Sequence, residues 1–407
     1  MPAEIHDLLE EFPPCPEHMT LTNRQLSDHS KAVLATIRDY RGDAADVPYS
    51  AKKLVCTLLK KEKYKIHYLY LKYVLQLGLK VTKTHRVLSF TQTDFARSFI
   101  SLTASLRLAA KSDFEKDQIK KISNSVYGKY LANPLKYTIC KVATTQNTCE
   151  RAISHPSVES FRIISKQLVL VFQRKMEVEF RQAWLVGGCV LDLSKLQMAS
   201  LFTEIQAACN NSAQMLFTDT DSFGMLIPAK HEDDFFCKLK SSMDFSNYPV
   251  THKLFSETNK GCLGFLKNEM RGSSVIAECC AIRSKCYSLS TNSLSGNCLC
   301  NGSASASTLA CSCQRTVNKC KGTPSTFTRK ILFEDYKRVL LSNVAAHEGN
   351  VVQIRSRDHN LKTITIKRKM FTSYDDKKYA LDCNVHSRSY GNYKNALIGS
   401  VCEKCNL

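Results

Sequence analysis

Apolar residues along the 407-residue chain recur in two rhythms, one helical and one alternating. Helical recurrence covers about Asp94 to Ala110 and Lys111 to Tyr130, predicting two consecutive helices with Gly128 near the end of the second. Strand-like alternation covers Tyr137 to Val142 and Phe161 to Phe180, and a further helix is predicted from about Ser194 to Asn210. Next, two apolar runs around Leu216-Phe217 and Phe223 to Ile227 flank a polar turn, the mark of a hairpin. Near the C-terminus, Phe333 to Arg338 reads as helix and Thr363 to Lys369 as a basic strand. Upstream, a Pro-rich lead runs to about residue 50, helices are expected from there to Gly78, and alternation resumes from Val81 to Phe90. This mixture predicts an α+β fold without internal repeats.

Two of these elements carry candidate chemistry. The hairpin turn holds Asp219-Thr220-Asp221-Ser222. In an extended chain, residues two apart share a face, so both carboxylates can converge on one hard cation such as Mg2+. The plain alternative is an acidic β-turn. On the second predicted helix, Lys116, Lys120, Asn124 and Tyr127 fall within roughly 80° of arc at 100° per residue. Two ammonium groups, an amide and a phenol on one face suit a triphosphate, and Gly128 permits close backbone approach. The alternative there is a solvated basic face.

Taken together, Lys120-x-x-x-Asn124-Ser125-x-Tyr127-Gly128 followed by Asp219-Thr220-Asp221-Ser222 resembles motifs B and C of family B DNA polymerases. Further stretches resemble the protein-primed branch of the Maverick/Polinton transposon type: Leu191-Asp192-Leu193-Ser194-Lys195, Lys285-Cys286-Tyr287, and Ser373 to Tyr379 with Tyr390-Gly391. The resemblance implies a right-hand polymerase with an antiparallel palm sheet, helical fingers and a thumb, acting on a DNA template-primer with deoxynucleoside triphosphates, Mg2+ and a terminal priming protein. It implies Asp221 as the main metal-binding carboxylate and Asp219 as its companion. Lys120 and Asn124 then contact the nucleotide, Tyr127 meets the nascent base pair, Lys116 and Arg107 add phosphate-binding charge, and Lys285 and Tyr287 steady the primer end.

The implied divisions are a palm remnant in residues 1–50, a basic protein-primed insertion in 51–93, fingers in 94–130, palm in 131–290, a Cys- and Ser-rich loop in 291–322 and a thumb in 323–407. The family's motif A, an Asp near a Leu-Tyr turn, has no counterpart, nor does its exonuclease domain. Met1 to Leu9 and the prolines after it resemble the stretch that trails motif A. Two-metal transfer draws carboxylates from both motifs, so the expectation is a C-terminal fragment that does not polymerise alone. Asp192 and Glu257 are further acids of the chain, but nothing in the sequence supports their taking motif A's place. The alternative is a catalytically inactive DNA-binding remnant of a transposon polymerase. An Asp-x-Asp after an apolar strand also opens haloacid-dehalogenase phosphatases, but those enzymes place it near the start of the domain and have no use for the Lys120 helix.

Composition fits these expectations. Hydrophobic residues make up 43% of the chain, enough for two or three cores, and the net charge of +20 favours a polyanion. Residues 51–86 hold ten Lys or Arg against one Glu, interleaved with Tyr64, Tyr68, Tyr70 and Tyr73, which predicts a phosphate-contacting face. No stretch reads as an 18-to-20-residue membrane span and acidic residues interrupt the N-terminus, so the expectation is an intracellular protein without a membrane partner, nuclear in a eukaryotic host. The 19 cysteines then stay largely reduced. Cys298-x-Cys300, Cys311-x-Cys313 and Cys320 form one cluster, but Cys-x-Cys is tight for a structural zinc and a flexible loop is expected.

Overall fold

The computed structural model describes residues 3–41, 52–228, 232–270, 274–293, 315–341, 347–357 and 360–405. It is an α+β protein whose residues gather into two compact units. The first combines 1–86, 195–351 and 367–407, and the second combines 87–194 and 352–366.

The first unit opens with α1 (Ala3–Leu9), β1 (Glu17–Met19), α2 (Asp28–Arg41), β2 (Lys53–Val55) and α3 (Tyr68–Gln76). Helices were expected throughout 51–78, yet only α3 forms there. Residues distant in sequence decide this. Lys53 to Val55 pair antiparallel with Met19 to Glu17, Val55 is buried with Leu21 and Tyr390, and Leu58 N–H donates to the Tyr390 carbonyl at 2.7 Å. Val81 to Phe90 is exposed chain without a strand, because alternation needs a ladder partner to become a sheet.

The second unit contains α4 (Arg97–Ala109) and α5 (Asp113–Tyr130), which pack together, then β3 (Thr138–Ala143), α6 (Gln146–Ile153), β4 (Val158–Ser165) and β5 (Leu168–Arg174). The α5 start is fixed by a capping box: Ser112 Oγ accepts from Glu115 N–H, and the Glu115 carboxylate accepts from Ser112 N–H. The three strands form an antiparallel sheet in the order β3-β5-β4, with Val171 fully buried at its centre.

Helix α7 (Trp184–Ala208) begins ten residues before the expected Ser194, and the boundary between units falls within it. Its 25 residues correct the expectation that no segment is long and apolar enough to cross a membrane, for α7 passes that test by length and composition. Packing accounts for part of that apolar character: Ala199, Leu201, Phe202 and Ile205 are buried, and Tyr73 Oη donates to the Ala199 carbonyl.

The first unit resumes with β6 (Gln214–Thr218), β7 (Phe223–Leu226), α8 (Glu232–Lys238), β8 (Ser274–Arg283), β9 (Cys286–Ser293) and β10 (Arg315–Cys320). Ile205, Ala213, Phe235, Leu239, Met243, Phe245, Tyr248 and Leu254 make one core beneath the β6-β7 hairpin. Strands β10-β9-β8 form an antiparallel sheet, covered by α10 (Phe333–Leu341) after the short α9 (Ser325–Thr328). The ribbon β11 (His347–Arg357) and β12 (Asn360–Phe371), whose residues 352–366 belong to the second unit, returns Phe371 to stack on Tyr336 at 4.6 Å. The chain ends in β13 (Tyr379–Ala380), β14 (Ser387–Arg388) and α11 (Lys394–Leu397).

Candidate functional site

The Asp219 and Asp221 carboxylates lie in the turn joining β6 to β7. The register pairs Thr218 with Phe223, and the extended alternation stops there. Asp221 N–H donates to the Asp219 carbonyl at 2.8 Å and Asp219 N–H to the Ser222 carbonyl at 3.1 Å, which closes a tight loop. Thr220 between them has φ +66°, a left-handed conformation costly for a β-branched residue, about 1 kcal/mol. The two acids therefore owe their placement to a strained turn rather than to strand geometry. Asp219 is largely covered, whereas Asp221 is exposed.

Lys285 and Tyr287 reach this turn from the β8-β9 sheet. Lys285, at φ +60°, occupies the connection between those strands, and its ammonium pairs with Asp219 Oδ1 while standing 3.4 Å from Thr220 Oγ1. Tyr287 stacks on Phe217 with centroids 4.1 Å apart and an interplanar angle of 20°. Burial, and then the neighbouring Asp219 charge, push its phenol above the ordinary tyrosine range. Gly224 opposite Phe217 makes room for that ring, since a Cβ there would stand 2.2 Å from it. Two motifs about 66 positions apart thus meet through side chains.

In the second unit, Lys116, Lys120, Asn124, Tyr127 and Gly128 all lie on α5, which buries none of its residues, and Arg107 is exposed in the last turn of α4. Lys116 pairs with Asp113 at 3.4 Å at the exposed helix start. A Cβ on Gly128 would meet nothing within 4 Å, so the helix is open there. Asp192 is buried on α7 in this unit, and Glu257 in the other pairs with Lys260 at 2.6 Å.

The basic stretch needs one correction. Its tyrosines do not interleave with lysines on an exposed face: Tyr64 Oη donates to the Pro16 carbonyl, Tyr70 is buried and accepts from Cys15 N–H, and Tyr73 bonds Ala199 and Thr203. Tyr68 alone of the four is exposed. Lys53 and Lys61 are occupied by Asp376 and Glu17, while Lys60, Lys63, Lys65 and Lys72 stand in solvent.

Cys298, Cys300, Cys311 and Cys313 lie outside the described residues. Cys320 is buried on β10 opposite Cys286. Sequence reasoning passed over a different group: Cys383, His386, Cys402 and Cys405 come together at the end of the chain. Its signal was the spacing, Cys-x2-His followed by Cys-x2-Cys, a pattern common at metal sites.

Residues 41–194 match the family model of DNA polymerase type B, organellar and viral. No curated protein matches. Among solved structures, phi29 DNA polymerase complexed with primer-template DNA is similar at a TM-score of 0.41 and 15% identity, over 68% of this chain and 39% of the phi29 chain. This chain thus spans about two fifths of that polymerase's length. The segment matched by the family model contains α4, α5 and every residue named above from Arg107 to Gly128.

Proposed function

We propose that this chain serves template-directed DNA synthesis as the fingers, palm and thumb part of a protein-primed type B polymerase of the Maverick/Polinton kind, adding deoxynucleotides to a primer 3′ hydroxyl. The observation that carries the reading is the type B polymerase match across 41–194, which contains the α5 face. The Lys285-Asp219 contact supports it independently, by joining a candidate primer-holding residue to a candidate metal ligand.

In this reading Lys116 and Lys120 hold the triphosphate as point charges, Asn124 bonds phosphate or sugar, Tyr127 meets the base and Gly128 lets the backbone approach, with Arg107 adding charge nearby. Lys285 and Tyr287 steady the primer end. Asp219 and Asp221 offer hard oxygen donors, which fit Mg2+. Bound there, Mg2+ would promote primer-hydroxyl attack and offset triphosphate charge. These two acids are half of the set such chemistry uses, so synthesis by this chain alone is expected to be weak. A priming protein and DNA are the expected partners.

The test is extension of a labelled primer on a DNA template with Mg2+, comparing wild type with Asp221→Asn and Asp219→Asn. The expected result is extension reduced about 100-fold or more by Asp221→Asn. DNA binding retained with no extension by the wild type, even when further polymerase segments are supplied in trans, would favour the inactive DNA-binding remnant.

A further inference from the structure

Cys383, His386, Cys402 and Cys405 each place one ligand atom within 4.8 Å of the other three. His386 Nδ1 stands 3.5 Å from Cys383 Sγ, 3.5 Å from Cys402 Sγ and 3.4 Å from Cys405 Sγ. One imidazole nitrogen carries a single lone pair or a single proton, so three equal sulfur contacts cannot all be hydrogen bonds. They are instead what the edges of a coordination tetrahedron measure. With Zn–S about 2.3 Å and Zn–N about 2.0 Å, sulfur and nitrogen at the tetrahedral angle stand about 3.5 Å apart.

We propose that these four residues form a closed Cys3His site for a structural Zn2+. Three soft sulfurs and an imidazole in a tetrahedron select zinc over the hard cations Mg2+ and Ca2+, and four protein ligands leave no open position for catalysis. The frame around the ligands is built for the role. His386 N–H donates to Cys383 Sγ at 3.2 Å, as amides do around metal-bound thiolates. Asn384, at φ +62°, turns the first pair. Asp382 joins the two halves: its N–H donates to the Ser400 carbonyl at 2.9 Å and its Oδ1 accepts from Cys402 N–H at 3.0 Å. Arg388, 3% exposed, donates to the carbonyls of Gly399 and Val401 at 3.0 and 2.7 Å. The cysteines themselves are free thiols. This site does not depend on the polymerase reading.

The full chain, expressed with zinc in the medium and purified under reducing conditions, is analysed for metal by mass spectrometry and for cysteine protection by alkylation mapping. The expected result is bound zinc that falls by one equivalent per chain in Cys402→Ser and in His386→Ala but not in the control Cys140→Ser. Zinc should also shield Cys402 and Cys405 from alkylation until a chelator is added. Should the variants fail to fold, Co2+ added to chelator-stripped wild type should give the visible bands of a tetrahedral thiolate site. Zinc content unchanged in folded His386→Ala and Cys402→Ser, or a Cys402–Cys405 disulfide in the zinc-supplied protein, would overturn the site.

Discussion

Gly391 shows how much one position can decide. Its φ is +83°, and a Cβ there would stand 2.7 Å from the Leu59 backbone nitrogen, an atom that cannot swing aside. Gly391→Ala should therefore destabilise the chain by about 2 kcal/mol or more, seen as a lower urea midpoint with an unchanged slope. The Tyr390-Gly391 pair was visible in the sequence, but the segment it pairs with, Thr57 and Leu58, was not, because nothing local links residues 58 and 390. In the proposed function, Lys285 bears on synthesis instead. Its ammonium sits on Asp219, so Lys285→Ala should lower primer extension roughly tenfold while leaving the KM for nucleotide little changed, whereas Lys120→Ala should raise that KM roughly tenfold.

Helices with local stop and start signals were the most legible elements. Ser112 and Glu115 bound α5 within its own sequence, and α4 and α5 appear where periodicity puts them. The β6-β7 hairpin was legible too, but not the left-handed Thr220 that takes both acids out of the alternating pattern. In 51–78 the tyrosines read as interaction residues while three of the four are packed inward, since sequence pattern does not separate a buried phenol with a partner from an exposed one. The loop after α8 carries a pH dependence. Burial opposes ionisation of Asp244, but hydrogen bonds from Ser246 and Gly261 and the Lys267 ammonium at 3.0 Å outweigh it, holding its pKa at about 2, below the ordinary 3.8. A depressed folded pKa means its stabilisation, about 2 kcal/mol, is present above about pH 4 and drains as pH falls towards 2. The stability gap between wild type and Asp244→Asn should accordingly be widest at neutral pH and narrow below pH 4.

On the scale of the whole molecule, a net charge of +20 is a statement about partners, and the structure sorts which lysines are available for one. Lys63 and Lys65 are exposed, while Lys53 and Lys61 are occupied by acids. Replacing Lys63 and Lys65 with Ala should weaken DNA binding and reduce the slope of log affinity against log salt by up to about 2, with Lys53→Ala and Lys61→Ala changing it less, measured by fluorescence anisotropy. The Cys-x2-His and Cys-x2-Cys pairs were readable in sequence, but their meeting across fifteen intervening residues depends on Asp382 and Arg388.

Glu11 ties the amino terminus into both regions. One oxygen accepts from Met215 N–H at 2.9 Å, on the strand that leads to Asp219, and the other pairs with Lys404 at 3.0 Å, between Cys402 and Cys405. Anyone trimming this protein to a minimal working length thus meets a hard limit: versions starting beyond residue 11 surrender a brace shared by the carboxylate turn and the cysteine knuckle, and both should loosen together.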